Sequence, residues 1–154
     1  MPREREAEIN AARHRRMAAL AHADGARIAE LWTGAGLPVD CEVLRGPETG
    51  LVMLRGRIGG GGGRFNLGDA TVTRMTVRIP SGEIGHAYAL GRDGDKARLS
   101  ALADALGQSP AYRETVEARI VAPLLAEAEK ADRRRRGETA ATKVDFFTMV
   151  RGED

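Results

Sequence analysis

With 154 residues, 42% hydrophobic and 30% charged, the chain has the size and composition of one soluble domain able to bury a real core. Nothing in it approaches the ~18 consecutive apolar residues of a membrane span, and the start, Met-Pro-Arg-Glu-Arg-Glu-Ala-Glu, lacks the apolar segment of a secretory signal, so a cytoplasmic chain is expected. A formal net charge of +2 does not argue for a nucleic-acid binder, and the single cysteine, Cys41, excludes an internal disulfide or a cysteine-built zinc site. Cys41 itself reads as a small buried hydrophobe.

Residues Arg3 to Ala23 read as a charged helix with sparse apolar positions at Ile9, Met17 and Leu20. Asp24 is placed to cap a second helix that carries Ile28, Leu31 and Trp32 on one face, and Gly34, Gly36 and Pro38 end it. So short a connection predicts an antiparallel helix pair, with Trp32 as a core anchor. From Val39 the period changes to two. Val39, Cys41 and Val43 alternate as a first strand, the turn-forming run Arg45-Gly46-Pro47-Glu48-Thr49-Gly50 follows, and Leu51 opens a second strand reaching Arg57 or Ile58. Thr71 to Ile79 is the clearest strand, with Thr71, Thr73, Met75, Val77 and Ile79 on one face. Pro80-Ser81-Gly82 turns the chain into a strand from Glu83 to Leu90.

Helix resumes near Asp95. Leu99, Leu102, Ala103 and Leu106 form an apolar stripe closed by Gly107. Ser109 is placed to cap a further helix with Pro110 at its first position; Val116, Ile120, Leu124 and Ala128 continue the buried face. Pro123 lies within that pattern and predicts a kink or interruption. Arg133 to Arg136, with Gly137-Glu138-Thr139, read as a solvated boundary, the arginines complementing the helix dipole. The fold class is therefore α+β: a single domain with an antiparallel four-stranded meander flanked by N-terminal and C-terminal helices, plus an extended C-terminal arm. Its parts are helical over 1–37, sheet over 39–90, helical over 95–136, and an interaction segment over 143–152.

That last segment, Lys143-Val144-Asp145-Phe146-Phe147-Thr148-Met149-Val150-Arg151-Gly152, holds two of the three phenylalanines. Chain ends are usually polar, so an apolar, β-prone end must dock, either as the last strand of its own sheet or as an arm on another protein. Arg45 to Arg78 contains six arginines against Glu48 and Asp69, a local excess of +4 that suits an anionic ligand or an acidic partner, or reflects only the chain's preference for arginine. Five successive glycines, Gly59 to Gly63, offer amides to an anion beside Arg55, Arg57 and Arg64. Gly60, Gly61 and Gly62 with these arginines are the candidate phosphate site. A Walker-type loop would require Lys-Ser/Thr and a following helix, whereas this loop leads to another strand, so a flexible hairpin connection is the simpler reading. His14 and His22 lack partners at metal spacing, no metal site is expected, and His86, on the face of Ile84, Tyr88 and Leu90, reads as a half-buried core histidine. No catalytic residue declares itself.

Four segments resemble the PhnG family of the phosphonate carbon–phosphorus lyase system: Arg45 to Met53, Phe65 to Arg74, Gly91-Arg92-Asp93, and Lys143 to Gly152. The similarity runs from roughly the first helix to the end of the chain. The resemblance implies a cytoplasmic, bacterial subunit of a hetero-oligomeric core complex with PhnI, PhnH and PhnJ, and with ATPase-like PhnK and PhnL associated. With PhnI, PhnH and PhnL, such a subunit supports transfer of an alkylphosphonate to C1 of the ribose of ATP with release of adenine. It also implies that the main catalytic residues lie in PhnI. S-adenosylmethionine and an iron–sulfur cluster are expected only in PhnJ, with no cofactor in this chain. Glu48, Thr49, Arg74, Asp145, Phe146, Phe147, Met149, Val150 and Arg151 are the candidate partner-binding residues, as scaffold or co-catalytic support. A purely structural subunit without substrate contact is the alternative, and a nucleic-acid module fits least.

Overall fold

The computed structural model describes residues 2–57 and 61–141. Two helices, α1 (Pro2–His22) and α2 (Gly25–Ala35), precede a sheet of β1 (Glu42–Arg57), β2 (Arg64–Arg78) and β3 (Ile84–Leu90). The chain then forms α3 (Gly94–Leu106), α4 (Arg113–Val116), a π-helical turn (Glu117–Val121) and α5 (Ala122–Ala141). The sheet is antiparallel in the order β1-β2-β3.

The α+β class stands, but the sheet has three strands and not the expected four. The turn chemistry at Arg45-Gly46-Pro47 serves a bulge inside one long strand. Pairing with β2 continues on either side of it, from Glu42↔Arg78 to Arg57↔Arg64, with shifts between Val43 and Arg45 and between Arg45 and Glu48. Gly46 takes φ +85 there, and a Cβ would meet the Arg74 carbonyl, so only glycine fits the bulge. The strand expected from Thr71 begins earlier, at Arg64, because Leu51 to Arg57 lies opposite Phe65 to Ala70 and supplies its hydrogen bonds.

Asp24 caps α2 as expected, accepting from the Arg27 N–H, and Gly36 ends it in the left-handed conformation at φ +63. Trp32 is buried and its Nε1 donates to the Leu37 carbonyl at 3.1 Å. The predicted antiparallel pairing of the first two helices gives way to other contacts. α1 packs mainly on β3 and α3, and α2 on α3 and the π-helical turn. Ser109 does not cap by its side chain; it is buried in a turn, and its carbonyl accepts from the N–H groups of Tyr112 and Arg113. Pro123 acts as predicted. It has no N–H to give, and just before it the helix widens so that Ala122 N–H reaches back five residues to Glu117. The helix carrying the arginine run does not stop at the expected boundary but continues through Gly137 to Ala141, with Arg133, Arg134 and Arg136 paired to Glu129, Glu138 and Asp132 four residues away.

At the centre lies α3, buried on nearly every side. The small residues Gly85, Ala87 and Ala89 of β3 let it approach the sheet, and its Leu102 and Leu106 share the core with Leu20, Ile28, Val116 and Ile120. Asp93 caps α3 by accepting from Lys96 N–H at 2.8 Å, while Lys96 Nζ donates to the carbonyls of Ala21 at 3.0 Å and Leu90 at 3.2 Å. Burial pushes the Lys96 ammonium below its ordinary value of 10.5, against the opposing pull of Asp93 and Asp24. Between the lowered folded value and 10.5 the unfolded chain binds more protons, so stability rises with pH across that interval. Urea midpoints measured up to about pH 10 should show the rise, and Lys96→Met should flatten it while lowering stability at every pH through the two lost bonds.

Candidate functional site

The hairpin of β1 and β2 is the feature that the rest of the fold leaves uncovered. Leu51, Met53 and Leu67 are 66%, 63% and 61% exposed, and Val52, Leu54 and Phe65 are also exposed. By alternation, Leu51, Met53, Arg55 and Arg57 share one face of β1, and Val52 and Leu54 share the other. Between Leu54 and Arg55 the register slips by one residue of β2, Leu67, whose side chain fills the space a Cβ on Gly56 would take. Scattered exposed apolar residues mean nothing, but a contiguous set on a projecting hairpin marks a surface that another molecule covers.

The candidate residues fall into three groups. Arg57 pairs with Arg64 across the hairpin and Arg55 lies one step along the same face, so the three arginines converge at the tip. None of them is in an ion pair among the described residues. Gly61 and Gly62 are exposed in the turn beside them; Gly60 lies outside the described residues. Glu48, Thr49 and Arg74 meet at the base. Glu48 Oε2 accepts from Arg74 Nε at 2.8 Å and Nη2 lies 2.7 Å away, while Arg45 Nε sits 3.2 Å from both carboxylate oxygens. Arg45 and then Arg74 hold the Glu48 carboxyl below its ordinary range. Thr49 Oγ1 lies 3.1 Å from Thr73 Oγ1, which donates to the Gly91 carbonyl at 2.7 Å. With Val52, Val72 and Tyr88 these residues line a cleft of about 240 Å³ on the open face of the sheet. Asp145, Phe146, Phe147, Met149, Val150 and Arg151 lie outside the described residues.

His86 is not a core histidine. β3 buries Gly85, Ala87 and Ala89, so His86 shares the exposed face with Ile84 and Tyr88, and its Nδ1 lies 3.1 Å from Thr76 Oγ1. Among the described residues no group of three or more His, Cys, Asp or Glu side chains is placed to hold a metal ion.

Sequence reasoning missed a buried ionic cluster. Asp104, fully buried on α3, accepts from Arg13 Nε at 2.8 Å, from Arg13 Nη2 at 2.7 Å and from His86 N–H at 2.9 Å. Arg16, 3% exposed, lies 3.8 Å from Asp104 and 2.6 Å from Glu117, its guanidinium in the space a Cβ on Gly107 would need. The cluster ties α1, α3, β3 and the π-helical turn together. Its signal was legible in part: an acid inside Leu102-Ala103-Asp104-Ala105-Leu106 demands a cation, and Arg13 and Arg16 stand one helical turn apart.

The fold thus defines a class: a small α+β domain closed by helices on one side and presenting an uncovered apolar and cationic hairpin on the other. Residues 11–152 match the family described as phosphonate metabolism protein PhnG. The chain belongs to that family. Over 144 residues it is 52% identical to the alpha-D-ribose 1-methylphosphonate 5-triphosphate synthase subunit PhnG of Rhizobium meliloti (strain 1021), a match covering 94% of this chain and 92% of that protein. No described helix is long and apolar enough to cross a membrane.

Proposed function

We propose that this chain is a subunit of a cytoplasmic alpha-D-ribose 1-methylphosphonate 5-triphosphate synthase within the carbon–phosphorus lyase system. The observation that carries the reading is the 52% identity to the Rhizobium meliloti subunit along nearly the whole of both chains. In the reaction, an oxygen of the phosphonate forms a bond to C1 of the ribose of ATP, the bond from C1 to the adenine nitrogen breaks, and adenine leaves. ATP is substrate of the assembly, PhnI, PhnH and PhnL are the companions for this step, and PhnI carries the main catalytic residues. Cleavage of the carbon–phosphorus bond, with S-adenosylmethionine and an iron–sulfur cluster, belongs to PhnJ, and PhnK associates with the same assembly. The uncovered hairpin and the segment from Asp145 to Arg151 are assembly surfaces.

One observation favours substrate contact as well. Arg55, Arg57 and Arg64 converge at the hairpin tip without carboxylate partners among the described residues, beside a glycine turn whose amides suit phosphate oxygens. We assign them, with Gly60 to Gly62, to the triphosphate or the phosphonate in the assembled enzyme. The test is co-expression with PhnI, PhnH and PhnL and measurement of adenine released from ATP in the presence of methylphosphonate. Release should require this chain. Arg55, Arg57 and Arg64 changed together to Ala should lower turnover about 10²-fold in an assembly of unchanged composition. Unchanged turnover would make the tip structural only, and release without the chain would overturn the proposed role.

A further inference from the structure

The two outer edges of the sheet are treated differently. Along β3, α3 and the residue just beyond it engage three outward backbone groups: the Ile84 carbonyl accepts from Gln108 Nε2 at 2.8 Å, His86 N–H donates to Asp104 at 2.9 Å, and the Leu90 carbonyl accepts from Lys96 at 3.2 Å. That edge is occupied by its own domain. Along β1, among the described residues, no side chain or loop bonds to the backbone, and β2 is its one hydrogen-bonding neighbour. Bulges disturb its first half, but Glu48 to Leu54 runs in unbroken register. An open, regular edge is a template for another strand.

The side chains of that edge say what kind of strand it takes. Leu51 and Met53 are exposed on one face and Val52 and Leu54 on the other, so the incoming strand must be apolar on both faces. The chain contains such a run beyond α5, Phe146-Phe147-Thr148-Met149-Val150, bracketed by Asp145 and Arg151. We propose that residues 145–151 of one copy add as an antiparallel strand to the β1 edge of a second copy. In one register Asp145 stands opposite Arg55, Phe146 opposite Leu54, Phe147 opposite Met53, Met149 opposite Leu51, and Arg151 opposite Thr49 beside Glu48. Each end then meets an opposite charge and the middle is apolar throughout. A parallel strand would set Asp145 near Glu48. A slip of two residues sets Phe147 on Arg55 in one direction and Asp145 on Met53 in the other, and a slip of one exchanges the faces.

Reach favours a second copy over the same chain. The first part of α5 is anchored on α1 and, through Arg27 and Glu127, on α2, while α1 lies on β3, the strand at the opposite edge of the sheet from β1. Only Thr142 to Val144 separate Ala141 from Asp145, a span of at most about 14 Å.

The test uses the full chain with Cys41→Ala in two separately purified forms, one carrying Met53→Cys and the other Phe147→Cys, mixed under mild oxidation. Directly opposed residues bring their Cα atoms to about 5 Å, within disulfide range, so the mixture should yield a covalent dimer. Leu51→Cys mixed with Phe147→Cys, out of register, should yield far less. Asp145→Arg or Arg55→Asp alone should weaken the dimer up to about fivefold in sedimentation, and the two together should restore it. No dimer from the matched mixture, a link confined to one chain when both cysteines are on it, or equal linking of both pairs would overturn the proposal. The experiment needs no ATP, phosphonate or companion subunit, so its failure leaves the proposed reaction untouched.

Discussion

Asp104→Ala should cost about 3–5 kcal/mol of folding stability, the largest loss expected from any single side chain here. The substitution strands a buried cation rather than deleting a surface pair. Arg16, almost fully enclosed, keeps only Glu117, its Nε having no partner among the described residues to begin with. Arg13 loses both of its bonds to the carboxylate, and the His86 N–H on the β3 edge is left without an acceptor. Against a typical total of 5–15 kcal/mol, such a loss brings the domain close to unfolding at growth temperature. Urea denaturation of the purified chain measures it directly. Asp104→Asn, which keeps an acceptor but not the charge, should lose less. A change below about 1 kcal/mol for Asp104→Ala would mean that solvent reaches Arg16 and that the cluster is not a dry tie between α1 and α3.

Gly85→Val should be comparably severe, for a steric reason. A Cβ at residue 85 would collide with the Ala101 carbonyl oxygen and the Ala105 backbone nitrogen of α3, and would lie 2.9 Å from the Ala105 Cβ. The obstructing atoms are mostly backbone, so no side chain can swing away; α3 itself would have to lift from the sheet. Overpacking of this kind costs about 1–3 kcal/mol and sometimes more. Elsewhere in a strand, replacing glycine usually helps, because the unfolded chain loses freedom. Gly50→Val is the matched comparison, since a Cβ there meets nothing within 4 Å. Thermal melts should show a large drop in Tm for Gly85→Val and little or none for Gly50→Val. Equal behaviour would refute the close approach of α3 to β3.

Much of the local structure was legible because its causes are local. Asp24 caps whatever helix follows, Gly36 ends one wherever a left-handed residue is needed, and Pro123 disturbs any helix that contains it. The alternation from Thr71 to Ile79 survives because β2 is the central strand, paired on both sides with one face under α3. Errors arose where a distant partner outweighed local chemistry. Gly46-Pro47 carries every mark of a turn, yet β2 keeps β1 straight through it. Ser109-Pro110 carries every mark of a cap, yet the backbone turns once more before α4 begins. The candidate site shows the same division. The arginine excess between residues 45 and 78 was visible as a number, while the convergence of Arg55, Arg57 and Arg64, and the separate engagement of Arg74 with Glu48, follow from register.

By itself the sequence determined the family resemblance, the α+β class, the Asp24 and Gly36 caps and the presence of an apolar run from Phe146 to Val150. Only the tertiary structure decided the number of strands, the face on which His86 lies, the burial of Asp104 and which sheet edge stays open. The physical reason is that periodicity reveals that an element has two faces without saying which one is covered. Covering is settled by tertiary partners: Arg13 meets Asp104 across 91 residues, and three side chains from residues 96–108 bond to the edge of β3 while nothing described bonds to that of β1.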